Sequence, residues 1–101
     1  MQTDRMNTPL KRMTKDEAEN VALGAFSFIT SDEERLGRFL AVSGLQPDNI
    51  RSAVAAPGFF AAVLDYVASD EPLLIALAKE LNTKPEHIML AHWTLSPSEF
   101  D

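Results

Sequence analysis

Three sets of side chains in this sequence belong to types that carry out chemistry. The acids cluster as Asp32-Glu33-Glu34 and Asp70-Glu71, the histidines are His87 and His92, and three arginines, Arg35, Arg38 and Arg51, fall close together. Grouped carboxylates hold hard cations or pass protons. Here, however, each acidic run follows a serine at a helix opening, as Ser31-Asp32-Glu33-Glu34 and Ser69-Asp70-Glu71-Pro72. Carboxylates at that point answer the positive end of the helix dipole and its unpaired N–H groups. The histidines stand five apart on one predicted helix. At roughly 100° per residue they point about 140° apart, unlike the i, i+4 spacing of paired metal ligands. The arginines have the chemistry to receive an anionic partner, or simply to form a solvated face beside the acids.

No serine sits in a nucleophile elbow, no glycine-rich loop is built to cradle phosphate, and cysteine is absent. We therefore assign no catalytic, cofactor-binding or metal-ligating residue and expect a protein that is not an enzyme. The more suggestive residues are apolar. Trp93 lies about 100° round its helix from His92 and near Met89, and tryptophan and methionine favour interfaces. Met89, His92 and Trp93 are thus a candidate partner surface. Phe26, Phe39 and Tyr66 are candidates to line a pocket between helices, with His92 beside them.

Helices must position all of these, because no stretch alternates at period two. Thr14-Lys15-Asp16-Glu17 is a capping box, and Ala18, Val21, Ala22, Ala25, Phe28 and Ile29 form a stripe behind it, widened by Leu23 and Phe26. The Ser31 box opens a second helix with Leu36, Phe39, Leu40 and Ser43 inward. Gly44 ends it, predicting a Schellman turn with Leu45 folded onto Leu40. Pro47 starts a third helix to Ala55, with Ile50, Ala53 and Val54 inward, and Ala56-Pro57-Gly58 breaks it. A fourth, from about Gly58 to Ala68, is nearly all apolar and is read as central. The fifth opens at Ser69 and ends at Asn82. The sixth follows a predicted box, Thr83-Lys84-Pro85-Glu86, with Ile88, Ala91, His92 and Leu95 on one stripe. Gly24 and Gly37 are read as points of close helix packing.

A shift of 38 residues lays the second half over the first. Ser31, Asp32, Glu33, Leu36, Pro47, Ile50 and Ala53 fall on Ser69, Asp70, Glu71, Leu74, Pro85, Ile88 and Ala91. Chance would give roughly two identities over such a span. The order is kept, cap on cap and proline on proline, which predicts a repeated three-helix unit.

The 101 residues carry a formal charge of −6, unevenly spread. Arg5, Lys11, Arg12 and Lys15 against Asp4 leave residues 1–15 at +3 and the remainder at −9. An acidic body repels phosphate backbones, so no nucleic-acid partner is expected. No apolar run approaches the roughly 18 residues that span a membrane, and no signal-peptide centre is present, so no membrane association is expected.

The run AENVALGAFSFITSDEERLGRFLAVSGLQPDNIRSAVAAPGFFAAVLDYVASDE resembles a family of small bacterial helical proteins, domain of unknown function 3572. SDEERLGRFL, the SGLQP turn and PGFFAAVLDYVASDE carry the likeness. LNTKPEHIMLAH follows the pattern less closely. The resemblance implies a small helical fold and a bacterial cytoplasm, and brings no activity or catalytic residues with it.

Taken together, the expectation is an all-α fold. About six short helices form two similar three-helix units in a compact orthogonal bundle. Residues 14–95 make one domain between a mobile tail at 1–13 and a second tail at 96–101. It is a cytoplasmic, non-enzymatic module for a protein partner or self-association. The alternative is a small-ligand binder or enzyme with an apolar pocket between helices.

Overall fold

The computed structural model describes residues 13–56 and 58–96. Over these the chain is an all-α bundle of six α-helices and one 3-10 turn. The helices are α1 (Lys15–Thr30), α2 (Glu33–Ser43), α3 (Ile50–Ala55), α4 (Phe59–Ala68), α5 (Glu71–Glu80) and α6 (Pro85–Leu95). The 3-10 turn Pro47–Asn49 leads into α3. The two predicted tails, apart from Met13 and Ser96, lie outside the described residues. Met13 itself is half-buried and packs on the core.

Local chemistry sets the helix ends. At Thr14 both arms of the capping box form: the Glu17 N–H donates to Thr14 Oγ1 at 3.1 Å, and the Thr14 N–H donates to Glu17 Oε1 at 2.9 Å. The next two openings differ from expectation by one residue. Asp32 and Asp70, not the serines before them, are the N-caps. Their carboxylates accept from the Arg35 N–H at 3.0 Å and the Leu73 N–H at 3.2 Å. Ser31 and Ser69 instead close the preceding helices, their hydroxyls donating to the carbonyls of Phe28 and Tyr66 at 2.8 and 2.9 Å. The box predicted at Thr83 does not form. Lys84 is the N-cap there, without a side-chain bond, and Pro85 begins the helix.

Gly44 takes φ +78° after α2 and Asn82 takes φ +56° after α5. Asn82 heads a full Schellman turn: its N–H donates to Lys79 O and the Thr83 N–H reaches back to Ala78 O at 2.9 Å. At Gly44 the ending is the simpler left-handed motif rather than the expected Schellman turn. The Gly44 N–H donates to Leu40 O, while the Leu45 N–H is taken by Ser43 Oγ.

The core lies where α1, α4 and α6 meet, with α5 against α4 and α6, α2 against α1, and α3 against α4. Ala18, Ala22, Ala25 and Ile29 of α1 are sealed against Val63, Leu64 and Val67 of α4 and Ile88 and Ala91 of α6. The small residues of α1 let its neighbours come close. At Gly24 an added Cβ would stand 3.1 Å from Leu81 Cδ2, so that glycine is a close-packing point. Gly37 is not, since nothing lies within 4 Å of the corresponding position. Leu23 is exposed rather than part of the buried stripe, and Val54 is exposed instead of inward on α3, whose packing is chiefly against α4.

Candidate functional site

The acids, histidines and arginines do not gather at one place; Arg35, Arg38 and Asp70 share a cleft, and neither histidine lines it. Asp32 and Asp70 cap helices, as above. Among the described residues no three of His, Asp and Glu gather into a metal-holding group. His87 is exposed, in a cleft between the start of α1 and the α5–α6 turn. His92 is half-buried, with Nδ1 shut from solvent and without a hydrogen-bond partner among the described residues. Arg35 has a structural task. Its guanidinium carbon stacks 3.8 Å from the Phe28 ring centre while Nη1 donates to Phe28 O at 3.2 Å, which holds the α1–α2 corner. Arg35 and Arg38 share a cleft of about 210 Å³ with Tyr66 and Asp70, and Arg51 lies outside it on α3.

Of the candidate partner surface, Trp93 is 63 % exposed, whereas Met89 and His92 are half-buried and Met89 packs on the core. What α6 offers is therefore chiefly one indole. Single exposed apolar side chains are common on soluble proteins.

The three candidate pocket residues do come together. Phe39 meets Tyr66 edge to face with ring centres 5.1 Å apart, Phe26 meets Phe39 at 6.2 Å, and Phe26 meets Phe59 at 5.2 Å. These rings pack on one another, in the edge geometry their quadrupoles favour. Phe26 joins Phe39 to Phe59 in this row. Phe39, Phe59 and Tyr66 also form the floor of an open groove of about 460 Å³ between the end of α2, α3 and the outer side of α4. Its walls are Val42, Leu45, Ala53, Ala56 and Ala62, with Asp65 at the edge. Val42 is 68 % exposed, the most exposed large hydrophobic side chain described.

Tyr66 joins this groove to the arginine cleft. Burial raises its hydroxyl pKa above the ordinary 10.0, the Asp70 carboxylate raises it further, and the Arg38 guanidinium pulls it back.

The groove's walls went unrecognised in the sequence. Val42 lies off the inner stripe of α2 and reads as an ordinary surface residue. The signal was in the 38-residue shift: Val42 falls on Glu80 and Leu45 on Thr83. Apolar residues stand on the α2–α3 side where polar ones stand on the α5–α6 side.

An all-α bundle with an open apolar groove and no convergent polar constellation defines a class of architecture, not an activity. The sequence narrows it. The chain belongs to the protein family of unknown function DUF3572, whose sequence model matches residues 15–98. No curated protein and no solved structure matches it. No helix among the described residues is long and apolar enough to cross a membrane.

Proposed function

We propose that this protein is a non-enzymatic interaction module that works by presenting the groove between α2, α3 and α4 to another polypeptide. The observation that carries this reading is the groove itself. It joins an aromatic floor to aliphatic walls that remain open to solvent, Val42 above all. Such a surface gains by being covered, at roughly 25 cal/mol per Å² of apolar area removed from water. Its two serines have other occupations: Ser69 Oγ donates to Tyr66 O and Ser43 Oγ accepts from the Leu45 N–H. That leaves little to orient a reacting substrate. We also read the two halves as one helical unit used twice, supported by the paired aspartate caps, serine closures and left-handed turns at a constant spacing of 38. We place the protein in the cytoplasm, in keeping with its cysteine-free, acidic sequence.

Photo-crosslinking in cells that make the protein tests the reading. A photoreactive residue at position 42 or 62 should form discrete protein adducts, and one at position 80 should not. A small-ligand pocket is the competing reading, favoured by a groove volume within the range of small-molecule sites. It would be upheld by a metabolite that raises the Tm while no adduct forms.

A further inference from the structure

Resting on the interaction reading, we infer that the groove takes a basic amphipathic helical segment of a partner protein, its apolar ridge lying on Phe39, Val42, Leu45, Ala62 and Tyr66 and its cationic side chains meeting Asp65, Asp70 and Glu71. Two observations fix the chemistry of that occupant. The first is shape and polarity. The groove runs between helices, is open along its top, and is walled by aliphatic and small residues. An amphipathic helix fills such a trough with side chains at i, i+3, i+4 and i+7. The second is charge. Asp65 lies on the groove, and an adjoining cleft that shares Val42, Tyr66 and Ser69 with it adds Asp70 and Glu71, three acids against Arg38 and, on the far side of Asp70, Arg35. Beyond the rim, residues 16–101 carry a net −9. A basic segment is steered toward this field and an acidic one is turned away.

The cleft beside the α5–α6 turn is lined differently. It sets Glu17, Asn20 and His87 among Val21, Leu81 and Leu90, so polar groups interrupt its apolar surface where the groove carries Val42, Leu45 and Ala62.

The test uses the full chain, isotope-labelled, and a short amphipathic helical peptide of leucine and lysine, with a leucine–glutamate peptide of the same pattern beside it. The expected result is saturable binding of the lysine peptide, with amide shifts confined to residues near 39–45 and 58–69. The single tryptophan, Trp93, lies outside the groove's lining, and its emission should stay unchanged. Val42→Glu and Ala62→Glu, both at exposed positions, should each weaken the complex by about tenfold or more without moving the Tm, as when a central interface contact is lost. Asp65→Lys should weaken the lysine peptide and strengthen the glutamate peptide.

Equal binding of both peptides overturns the inference. So does a response at Trp93 without shifts in the groove, although that outcome leaves the interaction reading standing. Groove shifts on dilution point to a second copy as the occupant, and groove shifts on deletion of residues 1–12 point to the chain's own basic segment. Either replaces the partner helix. A metabolite that binds where neither peptide does removes both readings.

Discussion

The turn that follows α2 and the turn that follows α5 are built on one plan and end in different surfaces. Each passes through a residue at positive φ, Gly44 or Asn82, and then a proline that starts the next helix. After α5 the chain closes a two-bond Schellman turn and enters α6, whose Ile88 and Ala91 are fully buried. After α2 it closes a single-bond turn, passes through a 3-10 turn and enters the six-residue α3, which buries no residue fully. Ile50 and Ala53 fill the places of Ile88 and Ala91 in the 38-residue shift, yet both are only half-buried. The residues at these matching positions are alike, so residue type does not separate the two ends. Length and neighbours do. The longer α6 reaches α1, α4 and α5 together, while α3 rests chiefly on α4, with the groove open beside it. The end with the short helix carries Val42 and Leu45 where the other carries Glu80 and Thr83.

That contrast can be broken most forcefully at the isoleucines. Ile88→Ala should cost about 2–5 kcal/mol in chemical denaturation, the range for a sealed core site. Ile50→Ala should cost less than about half as much, because much of its side chain is already wet. Equal losses would mean that α3 is as deeply built in as α6.

The two turns give the next effect. Gly44→Ala should lose about 1–2 kcal/mol, the penalty of a Cβ in the left-handed region. Asn82→Gly, by contrast, should hold or slightly raise the Tm, since glycine adopts that region at no steric cost.

The two helix-interior glycines come next. Gly37→Ala should stabilise by about 0.5–1 kcal/mol, because nothing crowds the new methyl and helix propensity improves. Gly24→Ala should gain less, since its methyl presses on Leu81.

The smallest effect is on Tyr66, the single tyrosine, whose ionisation is followed by absorbance at 295 nm. Its midpoint should lie above 10.0. Asp70→Asn keeps the cap and should lower the midpoint, whereas Arg38→Gln should raise it. The folded chain holds this proton more tightly than the unfolded chain. Its share of stability is therefore whole below pH 10.0 and declines as pH rises through the raised native value.

Much of this architecture was legible because it is local. A capping box, a proline at a helix start and a residue suited to positive φ act within a few positions, and Thr14, Pro47, Pro85, Gly44 and Asn82 all lie where that chemistry puts them. Two kinds of difference stand out. At Ser31 and Ser69 two good caps stood side by side, and local rules do not say which will take the position. At Val54 and Gly37 the question was what lies opposite, which depends on how the helices pack and not on a helix's own pattern. The groove fell into that second kind. Phe39 and Tyr66 were recognisable as neighbours, but an opening beside them arises only because α3 stays short. Trp93 drew notice by residue type, yet the structure leaves it as one indole on an otherwise half-buried face.

The central claim is that the α2–α3 end, not the α5–α6 end, is the working surface. Calorimetric titration of the leucine–lysine peptide into the paired variants Val42→Glu and Glu80→Val tests it most directly. The account predicts that Val42→Glu removes most of the binding heat at unchanged Tm and that Glu80→Val leaves affinity at the original site intact. Equal losses from both variants, or a loss from Glu80→Val alone, would contradict it.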